Sequence, residues 1–184
     1  NSLMNLVNQF YFQLSNINDP NMKFVLLCCN PGCGKGMETY SLACILQKKY
    51  PKAKIRIYAQ DVDLLAVSNA TLLSVPNDLA NTWYGPYLTK KANGDYTFSK
   101  EIKESIMFEY HDCKNTNALP MVDVVYARDI LSMLDQPSQE AVINDFLEKM
   151  KGNAVAILGD NEEMPSTFTF GENTVGALVA YSKD

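Results

Sequence analysis

The sequence predicts an α/β fold: a mostly parallel sheet of the Rossmann-like type, covered by helices on both faces, with an antiparallel hairpin at its C-terminal edge. Three observations carry that expectation. Short apolar runs of strand length alternate with segments of helical period, a glycine-rich loop joins the first run to a helix, and a carboxylate closes the second run. With 184 residues, 47% of them apolar, the chain can bury one sizeable core, so a single domain over 1–184 is expected.

The elements follow in order. Residues 3–17, LMNLVNQFYFQLSNI, carry apolar side chains at roughly helical spacing, and NDPN ends that helix. KFVLLCC (23–29) is an unbroken apolar run and reads as a buried strand. After the glycine loop, GMETYSLACILQKKY (36–50) reads as a helix with Leu42, Ile45 and Leu46 on one face. AKIRIYAQD (53–61) is a second strand and DLLAVSNATLLS (63–74) a second helix. Residues 75–107 are less regular and contain a hairpin turn at NGDY (93–96). Trp83, Tyr84 and Tyr87 in that region fit a small partner-binding insertion and aromatic core packing equally well. IMFEYHD (106–112), MVDVVYA (121–127) and NAVAILG (153–159) read as strands, and SQEAVINDFLEKMK (138–151) as an amphipathic helix. The tail, STFTFGENTVGALVAYSKD, offers two short strands joined at GEN (171–173). There is no internal repeat and no low-complexity linker.

Charge and cysteine content narrow the function classes. A net charge of −5 and a pI near 4.9 argue against a nucleic-acid partner, whose phosphates require clustered Lys and Arg. Arg56 and Arg128 are the only arginines, so each is worth following. Without an apolar run of spanning length or a basic-then-apolar leader, direct membrane insertion is not expected, and a cytoplasmic location is. The five cysteines, Cys28, Cys29, Cys33, Cys44 and Cys113, lack paired CxxC knuckles, and His111 is the one histidine. They read as small buried residues of a reducing compartment, with no metal expected.

The loop in FVLLCCNPGCGKGMETYSLACIL (24–46) decides the ligand class. A nucleotide-triphosphate loop ending at Gly34-Lys35 would put Cys29 at its first glycine and Gly36 at its metal-binding hydroxyl, so both required positions fail. A dinucleotide GxGxxG counted from Gly32 fails at Met37. What remains is a GxGxG loop, NPGCGKG, in which the backbone can pass close under a ligand where any Cβ would collide. It resembles motif I of the S-adenosylmethionine-dependent methyltransferases, with Asn30 in place of the usual acid and Gly32 and Gly34 under the methionine part of the ligand. At the end of the second strand, Asp61 is placed to accept hydrogen bonds from both hydroxyls of a nucleoside ribose. Asp63 is the alternative for that role, and before LLAV it suits a helix N-cap, the part assigned to it.

Several segments together resemble the CheR-type chemotaxis receptor methyltransferases. GCGKGMETYSLA is similar to that family's Gly-Glu-Glu-Pro-Tyr-Ser signature, keeping Gly36, Glu38, Tyr40 and Ser41. IYAQDVD resembles its ribose-binding strand end. FEYHDC (108–113) matches the place where an Asn-Leu pair flanks the adenine, here Asp112-Cys113. VVYARDILSMLD (124–135) resembles the strand and turn Cys-Arg-Asn-Val-x-Ile-Tyr-Phe-Asp, retaining Arg128 and Asp135, with Asp129 for Asn and Met133 for Tyr. The pieces fall in the family's order over about residues 24–160.

The resemblance implies a S-adenosylmethionine site that includes Asp129 and is held chiefly by Glu38 and Asp61, with Arg128 as the catalytic residue orienting cofactor or substrate carboxylate. Methyl transfer to glutamate carboxylates on chemoreceptor cytoplasmic domains is the implied reaction, with S-adenosylhomocysteine as product. Two ordinary roles stand beside these: a first-turn acid favouring the helix dipole for Glu38, and a surface ion pair for Arg128. The family's N-terminal helical domain, whose threonine and arginine reach the cofactor's carboxylate, is expected to be absent. The chain then reads as an excised catalytic domain or as a relative that has shed part of the site, which leaves a non-catalytic cofactor-binding or scaffolding module as the alternative to an enzyme.

Overall fold

The computed structural model describes residues 23–29, 36–116, 118–175 and 178–183. The helix expected over 3–17 and the loop residues Asn30, Gly32 and Gly34 lie outside them. In the described chain, β1 (Lys23–Cys29), α1 (Met37–Lys49), β2 (Lys54–Asp61) and α2 (Leu64–Ala70) come first. A two-stranded antiparallel hairpin follows, β3 (Leu88–Lys90) and β4 (Tyr96–Phe98), and then α3 (Lys100–Glu104), β5 (Ile106–Tyr110) and β6 (Val122–Ala127). The chain continues through α4 (Gln136–Lys149), β7 (Met150–Leu158), β8 (Gly171–Val175) and β9 (Leu178–Ser182).

Seven strands form one sheet in the order β5-β2-β1-β6-β7-β9-β8. The five from β5 to β7 pair in parallel, and β9 runs antiparallel to both β7 and β8. Alternation along each strand splits the core into two layers. Leu26, Cys28, Val124, Tyr126, Val155, Ile157 and Ala180 face α1 and the segment after α2. Leu27, Val125, Ala127, Ala154, Ala156, Leu158 and Tyr181 face α4, which contributes Val142, Ile143 and Phe146. Such central strands are buried on both sides, which is why they read as continuous apolar runs.

Local chemistry explains the helix starts. Gly36 precedes α1 with φ +77°, a left-handed backbone that suits glycine, and a Cβ there would stand 3.0 Å from the Phe108 ring and 3.2 Å from Ala70 Cβ. Asp63 caps α2 by accepting the Leu65 and Ala66 N–H groups, as its position predicts. Asp135 caps α4 by accepting from Ser138 N–H, and the Ser138 side chain together with that backbone bond holds its carboxyl below the usual range.

Two boundaries differ from expectation. α2 stops at Ala70 rather than running to residue 74, because Leu73 and Val75 turn inward, Val75 bridges to Tyr96 and Thr97 Oγ1 donates to the Leu73 carbonyl at 2.8 Å. The GEN stretch is not the turn of the C-terminal hairpin: Gly171 pairs with Ser182 and Val175 with Leu178, so 171–173 lie inside β8 and the chain reverses after Val175. Turn-type composition was outweighed there by pairing with β9.

Residues 75–107 pack onto the α1 layer. Tyr40 stacks on Phe98 with centroids 4.4 Å apart, and Trp83 stacks on Tyr84 at 3.9 Å. Tyr84 Oη donates to Ser41 Oγ at 2.8 Å, which in turn donates to the Met37 carbonyl. Trp83, Tyr84 and Tyr87 are partly buried against the core. Two signature residues, Tyr40 and Ser41, thereby serve to seat this segment on α1; Tyr40 Oη also donates to the buried Ala70 carbonyl at 3.0 Å.

Candidate functional site

Because β5, β2, β1 and β6 are adjacent and parallel, their C-terminal ends share one edge of the sheet. The register puts Cys28 beside both Ala59 and Tyr126, and Asp61 beside Tyr110. Ligands of open α/β sheets bind in the crevice beyond these ends. Asp61, Asp112, Arg128 and Asp129 all lie at or just past them.

Three side chains meet between α1 and β6. Glu38, in the first turn of α1, accepts from Tyr126 Oη at 2.6 Å through Oε1, and the same oxygen lies 3.8 Å from Arg128 Nη1. Arg128 Nη2 donates to Asp160 Oδ1 at 2.9 Å. The ion-pair reading of Arg128 therefore holds in part. Among the described residues, however, its Nε is buried with no hydrogen-bond partner, and a buried guanidinium donor left unmatched is costly unless something accepts from it. Burial, the Glu38 bond and its charge all push the Tyr126 hydroxyl well above its usual range, so it stays a donor.

Asp61 is 3% exposed. Its Oδ1 accepts the Asp63 N–H at 2.8 Å, an Asx-type turn that fixes the carboxylate at the strand end, while its carbonyl accepts from His111 N–H and extends the β2–β5 ladder by a step. Asp112 accepts from Lys114 N–H at 3.0 Å in the next turn. Cys113 is half-buried against the α4-side layer, and burial together with the Asp112 charge raises its thiol pKa.

Glu162 was not singled out in the sequence, yet it organises this edge. It is buried and accepts three backbone N–H groups: Asp129 at 2.8 Å and Gly159 at 2.8 Å through Oε2, and Ser132 at 2.9 Å through Oε1. The turn after β6 is thereby tied to the turn after β7. Asp129 adopts φ +60°, and a Cβ on Gly159 would come within 2.5 Å of Asp129 Oδ1, so the close approach requires glycine there. Glu162 sits among three acids in LGDNEE, which conceals it as ordinary surface charge; Tyr126 is concealed within the apolar run VVYA. Met133, by contrast, is 71% exposed at the end of the short 3₁₀ turn Leu131–Met133.

A family model described as the CheR methyltransferase SAM-binding domain matches residues 8–176. The chain belongs to this family. Chemotaxis protein methyltransferase 2 of Vibrio cholerae is 29% identical over 143 residues, which covers 72% of this chain and 49% of that protein. The CheR domain seen here thus spans about half the length of that relative. Among solved structures, the N-methyltransferase NodS from Bradyrhizobium japonicum in complex with S-adenosylhomocysteine superposes with a TM-score of 0.54 at 14% identity, covering 96% of this chain and 86% of that one. TrmN from Thermus thermophilus gives a TM-score of 0.51 at 15% identity over 97% of this chain and 47% of that one. At such identities the likeness establishes the fold, a Rossmann-like methyltransferase sheet. Among the described residues no group of three His, Cys, Asp or Glu side chains could hold a metal ion, and no helix is long and apolar enough to cross a membrane.

Proposed function

We propose that this chain binds S-adenosylmethionine at the C-terminal edge of its sheet and serves methylation of glutamate carboxylates on chemotaxis receptors, giving methyl esters. Family membership supports the reaction class. The observation that carries the cofactor reading is the juxtaposition of Glu38 and Arg128, opposite charges 3.8 Å apart beside a buried, unmatched guanidinium donor. An amino-acid head group, with one ammonium and one carboxylate, complements that pair.

When bound, the cofactor supplies an electrophilic methyl group on a sulfonium. The chain's part is binding and alignment. Asp61 accepts from the ribose hydroxyls, Asp112 and Cys113 border the adenine, and Glu38 and Arg128 receive the head group or the substrate carboxylate. The sequence motif that contains Asn30, Gly32 and Gly34 is assigned to the methionine portion, and Asp129 to the cofactor site beside Arg128. A glutamate with pKa of about 4.3 is already ionised near neutral pH, so the nucleophile needs no strong base. Holding the reacting atoms in line can contribute roughly 7–11 kcal/mol in favourable cases. Receptor cytoplasmic domains are the protein partner of this reading, and the cytoplasm is its compartment.

A second reading, a cofactor-binding module without transfer activity, is favoured by one observation: exposed Met133 stands where the family's substrate-facing tyrosine is expected, and a thioether donates no hydrogen bond. Calorimetric titration with S-adenosylmethionine and S-adenosylhomocysteine, followed by transfer of labelled methyl to a base-labile ester on receptor fractions, separates the two. Binding with ester formation supports the enzyme. Binding without it supports the module, and no binding refutes both.

A further inference from the structure

Glu38 and Arg128 carry opposite charges and stand close enough to attract, yet the oxygen and nitrogen nearest each other are 3.8 Å apart, beyond hydrogen-bond range. Each has a close neighbour, and the Tyr126 hydroxyl interacts with both. Asp160 takes Arg128 Nη2 at 2.9 Å, and Tyr126 donates to Glu38 Oε1 at 2.6 Å. Of these two restraints the tyrosine is the firmer. Asp160 is largely exposed and its pair with Arg128 is open to water and salt, whereas Tyr126 is buried near the C-terminal end of β6, packed in the α1-side core layer and fixed beside Cys28 by the sheet register. A rigid ring on a central strand therefore restrains the carboxylate of the first helical turn. Without its hydroxyl, the carboxylate could close on the guanidinium and the two charges would satisfy one another.

We infer that Tyr126 is a positioning residue for the head-group site: by holding the Glu38 carboxylate off Arg128, it keeps both charges disposed toward a zwitterionic amino-acid moiety. The inference rests on the cofactor reading above and adds to it a specificity device. Tyr126 touches no ligand in this scheme and acts through the Glu38–Arg128 pair, both members of which its hydroxyl meets. It also makes discrimination between ligands depend on the head group, because the nucleoside half of the site, around Asp61, is on another strand.

Tyr126→Phe removes the hydroxyl and keeps the ring, so the core layer stays filled. Binding is measured by calorimetry with two probes: S-adenosylhomocysteine, which carries the amino-acid head, and 5′-methylthioadenosine, which carries the same nucleoside without it. Loss of one charge-assisted hydrogen bond predicts that Tyr126→Phe weakens S-adenosylhomocysteine about tenfold and leaves methylthioadenosine within about twofold. In a Glu38→Gln background, Tyr126→Phe should cause a clearly smaller loss. Equal weakening of both probes, an unchanged affinity for S-adenosylhomocysteine, or the same loss in the Glu38→Gln background each overturns the positioning role while leaving the cofactor reading intact. A wild-type chain that binds neither probe overturns the cofactor reading, and the role of Tyr126 with it.

Discussion

Glu162 reaches from the turn after β7 to the backbone N–H of Asp129, 2.8 Å away in the turn after β6, and so bridges two strand ends that carry the candidate site. The carboxylate has three backbone donors and is 7% exposed, so its loss would strand buried N–H groups. Glu162→Ala is expected to lower unfolding free energy by about 2–5 kcal/mol. Glu162→Gln, with one acceptor oxygen left, should cost less. Urea denaturation measures both; a loss of under about 0.5 kcal/mol for the alanine variant would show that the bridge is dispensable.

Gly36 is constrained by its left-handed backbone and by contact with Phe108, whereas Gly94 has φ +92° and open space around its Cβ position. Alanine at Gly94 should cost about 1 kcal/mol, the backbone term alone. Alanine at Gly36 should cost at least about 1 kcal/mol more, from the 3.0 Å approach to the ring. Comparison of the two by thermal and urea unfolding isolates the steric part. Equal losses would show that Phe108 yields.

Asp61→Asn preserves an oxygen for the Asp63 N–H but replaces an ionised acceptor by a neutral amide. Affinity for S-adenosylhomocysteine should fall at least about tenfold, since each bond to a charged group is worth about 1.5–3 kcal/mol. Melting temperature should change little. An unchanged dissociation constant in the folded variant would exclude Asp61 as the ribose ligand.

Burial pushes the Cys44 thiol from 9.0 up to about 12 and the Tyr40 hydroxyl from 10.0 up to about 12. Between those values the unfolded chain loses protons that the folded chain keeps, so stability is fully present below pH 9 and falls as pH rises. Each such group contributes a slope of up to about 1.4 kcal/mol per pH unit. Urea midpoints measured from pH 8 to 10 should decline, and Cys44→Ala should flatten the part of the decline below pH 10, where Tyr40 contributes least. A slope unaffected by that substitution would mean the thiol is reached by water.

Met133→Tyr should raise turnover modestly if the reaction is glutamate methylation, because one neutral hydrogen bond of about 0.5–1.5 kcal/mol corresponds to at most roughly tenfold in rate. Affinity for S-adenosylhomocysteine should not move. Receptor-fraction methylation with labelled cofactor is the measurement; a silent chain that stays silent with the tyrosine restored favours the module.

The order of the central elements, the N-cap at Asp63 and the carboxylate at the end of β2 were legible in the sequence because each is a local property: apolar runs, one capping side chain, one strand terminus. The family was legible too, through short segments held in a fixed order. Folding alone decided the rest. The end of α2 depends on Tyr96 and Thr97, more than twenty residues away, and the hairpin register of β8 depends on β9. Glu162 looked like surface charge until the fold brought it against Asp129, Ser132 and Gly159, and Tyr126 looked like core until its hydroxyl met Glu38, a partner 88 positions away in sequence. Periodicity reports which side of an element is buried; which polar groups meet across two elements is set by strand order and register, and these are properties of the whole sheet.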